Sequence, residues 1–277
     1  MGNVIKVILI FLYILVGTSD IQGQAFENSG EKFIDSLRKQ PSFTIFGDNY
    51  IVSGTEIGKP PSKFNSDAKF QIGFKQILAE FDAFFHSFLF LTYRQVIFWD
   101  IYQNSFPFRA TNYNPSLVLG KVLIKDRQPS GLVWFALEHE SNGLSGEDSR
   151  GWNFLSFQYS TKLRKSWYGS LKGWIPIGTP GENETDLLDY KSYFEGRLTY
   201  YPTEKLIFES DFRRSFTTEW LGKIMLTANY RLSKHGNQFI YLQYYNGYAE
   251  SLIEYQQHVH MIRVGIAFKD LSLLVFK

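Results

Sequence analysis

The sequence predicts an all-β protein, a transmembrane antiparallel β-barrel of about 12 strands. Three observations carry this. From residue 42 onward, runs of about 9–14 residues alternate apolar and polar side chains with a period of two. The polar side of those runs carries full charges, and Tyr and Trp recur near the strand ends, as an interfacial girdle requires. An apolar leader opens a chain of 277 residues that has no cysteine and a net charge of +2.

The leader comes first. Lys6 precedes the apolar run Val7 to Gly17, "VILIFLYILVG", and the small and polar "TSDIQG" follows. This is the layout of a cleavable export signal, and the run falls short of the roughly 18–20 residues a spanning helix needs. A retained membrane anchor is the alternative. Residues 1–23 are therefore expected to be a signal peptide, 24–41 a polar and partly helical periplasmic segment, and 42–277 the barrel domain.

The strands follow in order, expected near 49–56, 68–78, 85–98, 115–125, 131–141, 152–163, 167–177, 190–201 and 236–248, with three more that show the alternation plainly. In "KLIFESDFRR", Leu206, Phe208 and Phe212 share one face, and Glu209, Asp211 and Arg213 the other. In "WLGKIMLTANYR", Trp220, Ile224, Leu226, Ala228 and Tyr230 oppose Lys223, Thr227, Asn229 and Arg231. In "MIRVGIAFK", Ile262, Val264, Ile266 and Phe268 oppose Arg263 and Lys269. A β-sandwich also alternates, but its strands average about 5–6 residues. Charges spread over so many strands suit a barrel lumen better. The near-neutral charge and lack of a basic stripe exclude a nucleic-acid binder, and the missing cysteines exclude disulfides, thiolate metal sites and a lipoprotein anchor.

One strand breaks the pattern. In "GLVWFALEHES", Val133, Phe135 and Leu137 define the lipid side, and His139 and Ser141 continue it. Asn153 shares the lipid-side parity of Leu155, Phe157 and Tyr159 on the next strand. Polar groups facing lipid cost free energy unless they bond one another. A serine hydroxyl becomes a nucleophile when an imidazole takes its proton, and a third group must orient that ring. An amide does so without the formal charge of an aspartate. Ordinary interfacial roles for the three residues stay open at this point. "HESNG" lacks the second histidine of a zinc protease, because Gly143 stands there. His258 and His260 share a strand face but have no third ligand, so they are expected to be interfacial. His86 and His235 carry no pattern.

The chain resembles the outer-membrane phospholipase A family of Gram-negative bacteria. "HESNGLSGEDSRGWN", from His139 to Asn153, is similar to its H-x-S-N-G…S-R-x-W-N signature. "SFPFRATNYNPSLVLG" (Ser105 to Gly120), "YNGYAESLIEY" (Tyr245 to Tyr255) and "NYIVSGT" resemble further segments in the same order, over roughly residues 42 to 270. The resemblance implies a twelve-stranded barrel that hydrolyses phospholipid acyl esters with Ca²⁺ and is activated as a homodimer. It implies Ser141 as nucleophile, His139 as base, Asn153 as orienting residue and the Gly143 N–H as oxyanion donor. For calcium it implies the Ser149 hydroxyl, the Leu144 carbonyl and the Ser105 carbonyl from the second copy, and it places Gln95 at the dimer interface. The chain departs from the pattern at Gly146, where an aspartate is usual; Glu147 and Asp148 lie beside it, and Glu182 is a candidate acidic substitute. Gly151 replaces a serine before Trp152, the segment between Trp99 and Ser105 is shorter, and Lys277 follows the final phenylalanine. Two other readings remain: a barrel or pore with a relic triad, and a secreted β-sandwich binding module.

Overall fold

The computed structural model describes residues 29–81, 87–178, 185–234 and 236–270. The expected signal peptide, His86, Glu182, His235 and the terminal Lys277 lie outside them. Twelve long strands close into one antiparallel barrel, the end of the chain pairing back onto its beginning. A short β1 (Phe43–Ile45) and β2 (Asp48–Glu56) both pair with β3 (Ser66–Phe81), so they form one stave with a break. The break is local chemistry: Gly47 takes a left-handed φ of 63°, and the Phe46 N–H donates to the Gly73 carbonyl at 3.0 Å. A thirteenth strand therefore joins the sheet without adding a thirteenth stave.

The wall continues through β4 (Ser87–Trp99), β5 (Phe108–Lys125), β6 (Gln128–Ser141), β7 (Gly151–Arg164) and β8 (Trp167–Ile177). It closes through β9 (Phe194–Tyr200), β10 (Leu206–Arg213), β11 (Lys223–Arg231), β12 (Gln238–Gly247) and β13 (Val259–Lys269). Strand ends shift from expectation by a few residues, and three of the shifts have a visible cause. β5 begins seven residues early, at Phe108 rather than 115, because its outer side there carries Thr111, Tyr113 and Pro115, which weaken the apolar half of the alternation. Residues 187–191 form a short helix, α2 (Leu187–Lys191), once α1 (Ser29–Arg38) is counted, so β9 starts at Phe194 rather than 190. Trp220 precedes β11, its ring 5.7 Å from that of Phe212.

The two faces fall as the alternation requires. Leu226 and Val264 are 44% and 56% exposed on the outside, whereas Asp211, Asn229, Gln243 and Arg263 are buried within. Buried charges need partners, because each unpaired one carries a desolvation penalty of several kcal/mol. Arg263 bonds Asp67 and Glu250, Lys69 bonds Glu250, and Lys269 bridges Asp48 and Glu209. These pairs tie strands distant in sequence across the lumen.

Both mouths are filled. At the short-turn end, Ile34 of α1 is 1% exposed, and Phe33 and Leu37 share a small pocket with Phe88, Phe90, Val122 and Trp134. At the long-loop end, Trp152, Phe154, Trp174, Leu187, Leu252 and Tyr255 form an apolar cap. Between the mouths lies a charged cavity of about 460 Å³.

Candidate active site

β6 and β7 form a hairpin whose register decides the site. His139 lies directly opposite Asn153, and Ser141 directly opposite Gly151. His139 and Asn153 are exposed on the outer side, in line with the exposed Phe135 and Leu137. The predicted side chains therefore leave the barrel together near its long-loop end.

The histidine ring is held by one bond: Nδ1 and the Asn153 Oδ1 are 2.9 Å apart. An amide oxygen only accepts, so Nδ1 donates in this bond, and in the neutral ring Nε2 is the nitrogen with the free lone pair. A strand places residues i and i+2 side by side on one face, so Ser141 is the next outer residue after His139. Gly151 leaves room for this. A Cβ there would lie 3.2 Å from the Ser141 Cβ and 3.8 Å from the His139 Cε1. Gly151, where the resemblance has a serine, thus lies at the centre of the candidate site, directly opposite Ser141.

The inner side of the same hairpin is clamped. Glu140 is paired with Trp152 in the ladder and accepts a 2.9 Å bond from the Trp152 Nε1. Lys191, delivered by α2, donates to both Glu140 oxygens at 2.9 and 3.1 Å. Glu140 and Trp152 are each flanked by a residue of the outer site, so this bond lies directly behind it. The strand's alternation puts Glu140 on the lumen side, and its cationic partner Lys191 comes from another loop.

Past Ser141 the chain enters the 142–150 loop. Gly143 has a φ of 72°, and a Cβ there would approach the Tyr113 Cε2 to 2.7 Å. Tyr113 lies opposite Ser141 on one side and opposite Gln95 on the other, so the three form one row across β4, β5 and β6. Gln95 accepts from the Tyr93 hydroxyl at 2.9 Å. The loop also gathers Leu144, Ser149 and the exposed Glu147 and Asp148. A carbonyl, a hydroxyl and nearby carboxylates are hard oxygen donors that suit Ca²⁺. Among the described residues no group of three or more His, Cys, Asp or Glu side chains could hold a metal, so such a site would rely on carbonyl and hydroxyl oxygens. Gly146 has a φ of 66° with open space around it and contributes no side-chain ligand. Ser105 stands apart on the β4–β5 loop, with φ values of 67° and 47° at Ser105 and Phe106. Asn142, buried at 5%, went unnoticed in the sequence despite lying inside "HESNG".

Comparison with known proteins now adds to the geometry. The family model described as phospholipase A1 matches residues 48–268. Phospholipase A1 of Klebsiella pneumoniae is 31% identical over 192 residues, 67% of this chain and 64% of that protein. Phospholipase A1 of Escherichia coli K12 is 30% identical over 186 residues, 65% of this chain and 62% of that protein. The chain thus spans just under two thirds of the length of these relatives. Among solved structures, the calcium-bound dimer of the Salmonella typhi outer membrane phospholipase superposes with a TM-score of 0.74 at 26% identity, covering 89% of this chain and all of that one. Outer membrane phospholipase A from Escherichia coli gives 0.73 at 25% identity, covering 83% of this chain and all of that one.

Proposed function

The chain belongs to the phospholipase A1 family, and on that premise we propose that it hydrolyses phospholipid acyl esters at the outer membrane with Ca²⁺, as a homodimer. It is an outer-membrane β-barrel of the Gram-negative type. The observation that carries the reading is the His139–Asn153 bond of 2.9 Å on the lipid side of the wall, with Ser141 next along the strand. Residues so placed meet an ester held in the membrane itself.

The chemistry follows from these groups. His139 Nε2 takes the proton of the Ser141 hydroxyl as its oxygen attacks the ester carbonyl. Asn153 holds the ring so that the acquired proton sits on Nε2, close to the leaving oxygen. The Gly143 N–H donates to the negative oxygen of the tetrahedral intermediate. As the intermediate collapses, His139 returns its proton to the departing lysophospholipid alkoxide. Water then attacks the acyl-serine, His139 takes its proton, and fatty acid leaves as Ser141 is reprotonated. The Leu144 carbonyl and Ser149 hydroxyl would hold Ca²⁺ with the Ser105 carbonyl of a second copy, Gln95 lying at the dimer contact and Glu182 as a candidate additional carboxylate. The ion would supply polarisation of the ester and stabilisation of developing negative charge.

The test is calcium-dependent fatty-acid release from mixed phospholipid–detergent micelles by the wild type and Ser141→Ala. Release is expected from the wild type alone and is expected to stop on chelation. Equal release from both proteins would sink the assignment and leave a non-catalytic barrel. An unchanged rate after chelation would remove calcium from the mechanism.

A further inference from the structure

We propose that Asn142 is a positioning residue for this reaction: its carboxamide sets the peptide planes on which oxyanion binding and the Leu144 and Ser149 oxygens depend. The inference rests on the reading above and assigns a role to a side chain outside the triad and the calcium ligands.

β6 ends at Ser141, so beyond the nucleophile the strand ladder no longer dictates backbone direction. Asn142 takes over. Its own N–H donates to the Arg150 carbonyl at 2.9 Å, closing the base of the loop. Its Oδ1 accepts from the Leu144 N–H at 3.2 Å and from the Arg150 N–H at 3.0 Å. Its Nδ2 donates to the Asp148 carbonyl at 2.7 Å. One side chain therefore makes three bonds to backbone within the loop.

Which peptides are held matters more than how many. The bond to the Leu144 N–H closes an Asx turn whose ring leaves the Gly143 N–H outside it. The Asp148 carbonyl belongs to the peptide before Ser149, and the Arg150 N–H to the peptide after it. Asn142 thus pins the planes on both sides of Ser149 as well as the amide of Leu144. Arg150 adds support, its Nη1 donating to the Glu147 and Ser149 carbonyls at 2.6 and 2.9 Å. On the other side, the Tyr113 ring confines Gly143. With Asn142 only 5% exposed, water has little access to replace a lost bond.

The test uses the full-length protein refolded in detergent micelles. It compares Asn142→Ala, Asn142→Asp and Ser141→Ala for calcium binding by calorimetry, and for kcat and KM per folded, heat-modifiable barrel. Asn142→Ala is expected to lose about 10- to 100-fold in both calcium affinity and kcat, as outer-shell positioning groups do, with KM within about threefold of wild type. Asn142→Asp keeps both accepted bonds and loses the donated one, so its losses are expected to fall between wild type and alanine. Ser141→Ala is expected to bind calcium like the wild type while releasing no fatty acid. Wild-type affinity and kcat in both Asn142 variants would overturn the proposal. So would a loss of rate that vanishes on normalising to folded barrel, since Asn142 would then support folding alone. If alanine does not fold, Asn142→Asp decides by the same two criteria. Release by Ser141→Ala at the wild-type rate would instead strike the underlying functional reading.

Discussion

Among the described residues, two cross-strand histidine–asparagine pairs lie on the outer side of the barrel, and only one has a serine next along the strand. His139 faces Asn153 across β6 and β7; His260 faces Asn246 across β12 and β13. Both pairs lie on the lipid-facing parity near the long-loop end. In the first, Nδ1 meets the asparagine oxygen at 2.9 Å. In the second, the Asn246 Oδ1 is buried without a partner, and the His260 Nε2 meets the Tyr244 hydroxyl at 3.2 Å. The next outward residue is Ser141 in one case and His258, packed edge-on against Tyr248, in the other. A cross-strand histidine and asparagine therefore do not make a site. The first pair differs in having a serine next along the strand, a ring bound by the amide oxygen and an exposed loop beyond.

The two loops diverge in the same way. Loop 142–150 is held by the neutral amide of Asn142 and leaves Gly143, Leu144 and Asp148 exposed. Loop 248–258 folds inward, burying Ala249, Leu252 and Tyr255 and anchoring Glu250 on Arg263 and Lys69. One loop stands exposed beyond the wall, and the other folds over the lumen.

The sharpest way to break the comparison is to remove each histidine. His139→Ala is expected to lower kcat by at least about 10⁴-fold, as loss of a triad base does. His260→Ala is expected to stay within about twofold, because nothing reacts beside it. A comparable loss in both variants of a micelle assay would erase the distinction.

Acid should separate the loops next. Burial pushes the Glu250 carboxyl up, but Arg263 and Lys69 beside it hold it down at about 2. A depressed carboxylate contributes stability that is fully present above its unfolded value of 4.5 and lost as pH falls toward about 2. The contribution is on the order of 3 kcal/mol. Amide protection in loop 248–258, corrected for the intrinsic exchange rate, should fall between pH 4.5 and 2, and Glu250→Gln should abolish that pH dependence. A pH-independent loop in the wild type would refute the anchoring role.

The asparagines come third and are expected to respond in opposite ways. Asn153→Ala should cost about 10²-fold in kcat, since the ring loses its orienting acceptor. Asn246→Leu should leave kcat unchanged and raise stability by about 1 kcal/mol, because a buried oxygen without a partner is removed. Chemical unfolding in lipid vesicles measures the second effect, and a destabilised Asn246→Leu barrel would contradict it.

Much of this was legible in the sequence, for a reason particular residues make plain. A strand's side chains alternate by geometry alone, so Phe208 and Asp211, Val264 and Arg263, and His139 and Glu138 sort onto opposite faces without reference to any partner. The same rule placed Ser141 and Asn153 outside. It failed where the outer face is not plainly apolar, at Thr111, Tyr113 and Pro115 in the early part of β5, and where α2 replaced the expected start of β9.

What parity cannot supply is what stands across the gap. In strand register Asn153 and Asn246 are equivalent outer-side asparagines, each opposite a histidine. Only the packed barrel gives the first a 2.9 Å bond and leaves the second's oxygen without one. Only the closed wall brings Lys191 to Glu140 behind the site, and only the folded loop lets Asn142 hold the peptides on both sides of Ser149. Face is a local property of the chain, set every second residue. Partnership depends on where distant segments come to rest, and that was decided by tertiary structure.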